Sequence, residues 1–353
     1  MILFGGLGMG IFCLSGIIFT PSPPEEAIKA CQEAIGKARR ADAEHYASEQ
    51  FLEVEQEWSN LMDIWKAQNQ KWWVKRDFTS VQAAADSLQT LAKCAEQTAL
   101  EVHDSLGQAL KIAISILNKK SIESQQQLNA YPPKSAISQS FVRSELLLHE
   151  AQSAYTQQNY LRAQSLLNKA TVYLGESEKK LTSLLREYKK QIPIWLEWSR
   201  QTIAWSDTCH SIALIIDKML HECYLYQDGH LDATFSVELG IQWMGRKTVI
   251  GDAATPEGQY QITQKKDSTK SDYHKALVIS YPNEEDLEYF SNLKKRGLLT
   301  ANASIGGGIE VHGEGNKGYD WTQGCIALRN QDIDRLFDIV QVGTPVTIVG
   351  CLK

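Results

Sequence analysis

The chain has no run of basic residues, no Cys-x-x-Cys pair and no group of histidines and cysteines at zinc-ligand spacing. The first absence argues against a nucleic-acid surface, whose footprint is a basic patch. Its 36 basic residues are outnumbered by 42 acidic ones, for a net charge of −6. The other two absences leave no metal to expect, and no motif calls for a cofactor. Glycine is nearly missing from one half: between Glu25 and Ser206 only Gly36, Gly107 and Gly175 occur. Cysteine is present without a pattern. Positions 13, 31, 94, 209, 223, 325 and 351 make an odd count, so at least one thiol is unpaired and no disulfide framework is expected.

At 353 residues the chain is long enough for two ordinary domains, and its pattern divides accordingly. The glycine-poor half is rich in Ala, Leu, Gln, Glu and Lys, with apolar residues at helical spacing, and reads as all-helical. Trp58, Trp65 and Trp72 recur every seven residues, as a stripe packed into a helical core would; an exposed tryptophan would instead suggest a peptide or glycan contact. Arg76 to Thr79 reads as the end of a first long helix and the cap of a second. Tyr131-Pro132-Pro133 forces extended backbone before a third helix near Ser135, and Gln157 to Tyr160 makes a further break. The segments from Asp77 and from Asn159 align loosely, suggesting a duplicated helical hairpin. In a simple hairpin turning near Arg76, Cys94 faces about residue 60, and Cys31 lies roughly 45 Å away at about 1.5 Å per residue.

From Ser211 onward the pattern changes to short β-type runs and glycine-rich turns. Strands are expected at Ser211–Ile216, Tyr224–Tyr226, Thr234–Leu239, Ala276–Ser280 and Val346–Val349, with Asp228-Gly229 as a hairpin turn. Helices are expected at Asn283–Arg296 and Asn330–Val340.

Met1 to Thr20 carry no charged side chain and are dominated by Ile, Leu, Phe and Gly. A stretch of roughly 20 apolar residues is enough to cross a bilayer. It reads as a membrane anchor or export signal, with a retained anchor favoured because a basic n-region and a cleavage site are both missing.

The most informative stretch runs from His312 to Cys325, a histidine and a cysteine around a glycine-rich loop. A thiol attacks a carbonyl as thiolate, and a nearby imidazole is the usual base. His312 would take the thiol proton and return it to a leaving amine. The Gly324 and Cys325 N–H groups would face the oxyanion of a tetrahedral intermediate. Both residues also have inert readings, a buried apolar cysteine and a structural histidine.

His312-Gly313, a spacer, then Thr322-Gln323-Gly324-Cys325-Ile326 resembles the motif of the YkuD-type L,D-transpeptidases. Gln323 stands where most members carry a second histidine. The resemblance extends through Gly251-Asp252 and Thr255-Pro256-Glu257-Gly258-Gln259-Tyr260, and to the closing Gly343-Thr344-Pro345. It implies a mainly β catalytic domain acting on peptidoglycan stem peptides. Such an enzyme attacks the carbonyl of the third, diamino-acid residue, expels D-alanine, holds an acyl-thioester and passes the acyl group to an amine. Lacking the second histidine, the chain also resembles the YafK-like branch, associated with hydrolysis.

The expected architecture is therefore α + β and multidomain. Residues 1–22 form a signal or anchor segment, 23–207 an all-helical bundle or hairpin-repeat region serving as spacer or envelope-partner arm, and 208–353 the catalytic domain. The protein is expected in the cell envelope, facing outward from the cytoplasm. Around Cys325 and His312, Thr322 and Gly313 complete the motif. Asp320 and Trp321 would orient His312 or wall the cleft, and Arg329 would meet a substrate carboxylate or else cap a helix. His274 reads as a surface residue. Three functions compete: acyl transfer, hydrolysis on the same scaffold, and a non-catalytic peptidoglycan-binding scaffold.

Overall fold

The computed structural model describes residues 22–353. The expected anchor at Met1–Thr20 lies outside them. Among the described residues no helix is long and apolar enough to cross a membrane. Helices fill the first part and a curled mixed sheet the second. The chain forms two compact units, one of residues up to Ile114 with Gln152–Gln164, the other of Ser115–Ala151 with Ser165–Lys353.

The first unit contains α1 (Glu25–Arg40), α2 (Ala43–Tyr46), α3 (Ser48–Asn69) and the first part of α4 (Thr79–Asn129). The single long helix expected before Arg76 is broken at Ala41–Ala47, where Asp42 adopts a left-handed conformation (φ 56°). α1 therefore folds back. Its core is alanine-rich, with Ala34, Ala38, Ala43, Ala47, Ala85, Ala92, Ala95 and Ala99 buried among Phe51, Val54, Leu61 and Leu88. Such small side chains let helix axes approach closely. The Cys31 thiol donates to the Ala85 carbonyl oxygen at 3.2 Å, which corrects the simple-hairpin placement of Cys31 far from the start of α4. Trp58 and Trp65 pack against this core, whereas Trp72 lies past the end of α3 and is 77% exposed. The tryptophan stripe thus ends one member early.

α5 (Ser135–Thr156) and α6 (Tyr160–Lys189), most of whose residues belong to the second unit, begin where the proline pair and the Gln157–Tyr160 break place them. Hydroxyl groups stitch them together: Ser144 Oγ donates to the Ala170 carbonyl and Ser177 Oγ to that of Ile137, both across buried contacts. α7 (Ile192–Thr208) carries Pro193 in its first turn, where the missing N–H costs nothing. It buries Trp195 and bonds to the sheet through Thr202 and Thr347 at 2.5 Å.

The strands are β1 (Ile212–Asp217), β2 (Glu222–Gln227), β3 (His230–Ser236), β4 (Gly258–Lys266), β5 (Ala276–Ile279), β6 (Glu310–His312), β7 (Ile326–Ala327) and β8 (Pro345–Val349). They form one sheet in the order β3-β2-β1-β8-β4-β5-β6-β7. Only β1–β8 and β6–β7 pair in parallel. Asp228 and Gly229 both have positive φ and join β2 to β3 at Gln227↔His230, as the hairpin signal requires. Just past β3, Glu238 bridges Ala327 and Gly240 bridges Thr322, so the sheet curls until its two edges meet beside β7. The helices are α8 (Glu284–Lys295), with Asn283 and Asp286 forming a reciprocal capping box, and α9 (Asn330–Ile339).

One buried polar knot supports the loop beneath β7. Lys218 is fully buried, and its ammonium donates to the Gly245 carbonyl (2.9 Å), the Thr255 carbonyl (2.9 Å) and Glu257 Oε1 (2.7 Å). Glu257 also accepts from the Tyr188 hydroxyl at 2.8 Å. A buried cation persists only when its donors are met in this way.

Candidate active site

Strand register places the histidine and the cysteine on neighbouring segments at one edge of the sheet. In the parallel β6–β7 pair Val311 lies opposite Ile326 and His312 opposite Ala327. Side chains alternate faces along a strand. Cys325, one residue before β7, therefore sits beside Glu310 and shares a face with Ala327 and His312. The interval between them folds back as a loop. Gly315 N–H donates to the Leu328 carbonyl at 2.8 Å, Glu314 N–H to Asn330 Oδ1 at 2.7 Å and Gly318 N–H to Glu238 Oε1 at 2.6 Å. A Cβ on Gly313 would stand 2.7 Å from Asn330 Oδ1, which explains glycine after His312.

His312 is buried, and its Nδ1 lies 2.7 Å from the Gly313 carbonyl oxygen. That acceptor assigns the proton to Nδ1 and leaves Nε2 with its lone pair. The ring stacks on Tyr273 at 4.1 Å and meets Trp321 edge-on at 5.9 Å. Burial holds the imidazole below its ordinary value, against the opposing Gly313 carbonyl and the Glu310 and Glu314 carboxylates. Cys325 is half-buried, with Sγ 3.9 Å from the Gly308 carbonyl oxygen. Burial pushes its thiol up, outweighing a backbone hydrogen bond at Glu310 and the Lys247 and Lys266 ammonium groups, which favour the thiolate. Both shifts favour a neutral thiol beside a neutral imidazole at rest. Two ion pairs flank the thiol, Lys266–Glu310 at 2.6 Å and Lys247–Asp252 at 2.7 Å.

The cysteine turn is tied by Thr322, whose hydroxyl donates to the Cys325 carbonyl at 2.7 Å and accepts from Gly324 N–H at 3.1 Å. This corrects the expected oxyanion donors, because the Gly324 N–H is already engaged. The Cys325 N–H makes no hydrogen bond among the described residues. Gly324 has φ +128°, and a Cβ there would lie 2.5 Å from the Ala254 carbonyl oxygen. Its close backbone approach is thus to the chain's own second motif. That motif is held by Asp252, which accepts from the Thr248, Val249 and Ala254 N–H groups. Burial raises the Asp252 carboxyl, yet Lys247 and these donors hold it below the ordinary range. Gly324→Ala would force the turn off Ala254. We expect a loss of about 1–3 kcal/mol in stability, of the size that strained backbone or overpacking costs, read as a lowered midpoint in urea unfolding.

The remaining expected site residues fall differently. Asp320 bonds not His312 but His221 Nε2 (2.9 Å) and the Leu239 N–H (2.8 Å). Trp321 touches His312 edge-on; its indole N–H donates to Glu238 at 2.8 Å and Lys317 lies over its ring. Arg329 is exposed, precedes α9 and pairs with Asp332 at 2.7 Å, the helix-cap alternative. Gln323 is exposed on the turn. His274 is half-buried and bonds Asp334 at 2.8 Å. A cavity of about 540 Å³ opens beside this loop, lined by His221, Glu238, Tyr319, Asp320 and Arg329. Tyr273, Lys266 and Glu310 had no signal in the sequence, since each acts through partners distant along the chain. Among the described residues, no group of three or more His, Cys, Asp or Glu could hold a metal ion.

Residues 211–348 match the family model YkuD, described as L,D-transpeptidase catalytic domain. No curated protein matches the chain. Among solved structures it is similar to Bd1075 of Bdellovibrio bacteriovorus (22% identity, TM-score 0.30, 41% of this chain and 50% of that one). It is also similar to an L,D-transpeptidase of Xylanimonas cellulosilytica (18%, 0.26, 39% and 60%) and to L,D-transpeptidase 1 of Mycobacterium tuberculosis (17%, 0.26, 40% and 62%). The match thus spans less than two thirds of each of these chains.

Proposed function

Because residues 211–348 carry a YkuD-type L,D-transpeptidase catalytic domain, we propose that the protein is a cysteine acyltransferase acting on peptidoglycan stem peptides outside the cytoplasm. The observation that carries this reading is the register of β6 and β7, which sets Cys325, just before β7, near His312, whose Nδ1 is committed to the Gly313 carbonyl. Nε2 takes the thiol proton as Sγ attacks the carbonyl of the third stem residue. The Cys325 N–H faces the oxyanion, and the protonated imidazole hands its proton to the departing D-alanine amine. A thioester remains. An acceptor amine attacks it, His312 takes the amine proton, and the thiol is regenerated as the new amide forms.

The uncharged Met1–Thr20 stretch anchors the protein in the membrane, and the helical region 23–207 spaces the catalytic domain 208–353 from it or receives an envelope partner. A second reading, hydrolysis of a stem-peptide or peptidoglycan–protein bond, rests on Gln323, an exposed amide that cannot relay a proton. Product masses from tetrapeptide and crosslinked muropeptides separate the two. A crosslinked product lacking one D-alanine establishes transfer; cleaved products alone establish hydrolysis. No product from a folded protein leaves the scaffold function.

A further inference from the structure

The link between α3 and α4 exposes five consecutive residues, Lys71-Trp72-Trp73-Val74-Lys75. Trp72, Trp73 and Val74 are 77%, 45% and 66% exposed. The tip is built rather than loose. Trp73–Lys75 form a 3-10 turn, the Arg76 guanidinium donates to the Asn69 and Lys71 carbonyls at 3.0 and 3.1 Å, and Phe78 is buried behind it. Neither Lys71 nor Lys75 forms an ion pair among the described residues. Trp72 and Val74 are mostly in water, and Trp73 keeps nearly half of its surface there. Indole rings, with an apolar body and one N–H, favour the boundary between water and lipid, and lysines beside them are drawn to anionic headgroups.

The position of this tip matters as much as its composition. Arg39 of α1 pairs with Glu55 of α3 at 3.0 Å, and the short link between the helices makes them antiparallel. The start of α1 is therefore level with the end of α3. The Cys31–Ala85 contact likewise sets the start of α1 beside the start of α4. Glu25, which follows the uncharged N-terminal stretch, lies at the same end of this unit as the tryptophans.

We propose that Lys71–Lys75 is a membrane-contact tip that seats Trp72, Trp73 and Val74 in the interface of an anionic bilayer. The indoles are flanked by an aliphatic residue and two ammonium groups, the combination that an anionic bilayer interface favours. This inference rests on the proposed anchor at Met1–Thr20 and not on the catalytic reading, and its test does not involve turnover.

The full-length chain is incorporated into vesicles of phosphatidylcholine and phosphatidylglycerol with and without brominated acyl chains, and tryptophan emission is compared. The N-terminal stretch contains no tryptophan, so it contributes no signal. Two of the nine tryptophans lie in the tip, so brominated lipid is expected to remove up to about two-ninths of the emission. Most of that loss should vanish in W72F/W73F. Lys71→Glu with Lys75→Glu should reduce it while leaving every tryptophan in place, and far-ultraviolet circular dichroism verifies that the variants fold. If W72F/W73F misfolds, the charge-reversal variant carries the test. Equal quenching of wild type and a folded variant overturns the proposal. So does a tip-dependent emission change with soluble glycan strands in the absence of vesicles, which would reassign the tryptophans to sugar.

Discussion

Cys325→Ala is expected to reduce turnover of stem peptides to background, a loss on the order of 10⁶-fold, as when the nucleophile of another covalent enzyme is removed. Stability should change little, because the side chain is half-buried and Sγ contacts only backbone, a long approach to the Gly308 carbonyl and the hydrogen bond at Glu310. Removing a single atom there leaves the β6–β7 register and the Thr322 bonds untouched. The check is intact-protein mass spectrometry with a stem tetrapeptide. Wild type should gain the mass of an acyl group on Cys325 as D-alanine departs, and the variant should gain nothing while melting within a few degrees of wild type. An acylated variant would move the nucleophile elsewhere and remove the foundation of the proposed mechanism.

His312→Ala is expected to cost about 10²–10⁴-fold in kcat/KM, the span typical of a positioned general base. Its pH signature is more specific. Burial holds His312 below its ordinary value and burial raises the Cys325 thiol. The competent resting form is thus neutral imidazole with neutral thiol. Protonating His312 disables it, so activity should fall on the acid side only below the ordinary histidine value of about 6.5. Iodoacetamide labelling of Cys325 should keep rising above the ordinary thiol value of about 8.5 without an earlier plateau. A plateau near pH 6 would instead reveal a preformed thiolate–imidazolium pair. In His312→Ala the acid limb of the activity profile should disappear along with most of the rate.

What the sequence conveyed and what it withheld follow from chain separation. The helix breaks at Asp77, Pro132-Pro133 and Asn159 were legible because proline and side-chain caps act on neighbouring backbone. The break at Ala41–Ala47 was not, since alanine signals no ending and the turn depends on a left-handed Asp42. β6 and β7 are three and two residues long. They exist because distant segments pair with them, so no periodicity could announce them. β4 does alternate, with buried Gly258, Tyr260 and Ile262, and that pattern lay within the second motif without being read as a strand. At the site, the motif brought Cys325 and His312 into view; His312 ends β6, and Cys325 immediately precedes β7. The partner of Asp320 could not be inferred, because His221 is 99 positions away. Nor could the use of the Gly324 N–H, which depends on the rotamer of Thr322.

The Lys218 knot bears on where the sheet-containing part of the chain can be cut. Tyr188 and Trp195 precede residue 211, yet Tyr188 completes the bonding of Glu257, and the two rings occupy the space that a side chain on Gly350 would need. A fragment trimmed to the family match, 211–348, would discard both aromatics and the strand end they cover. It would also open the Lys218–Glu257 pair to water directly behind Thr255, whose hydroxyl holds the Gly240 N–H against the cysteine turn. A piece of the chain that keeps this pair buried must therefore reach back into α6, upstream of the boundary that the sequence match draws.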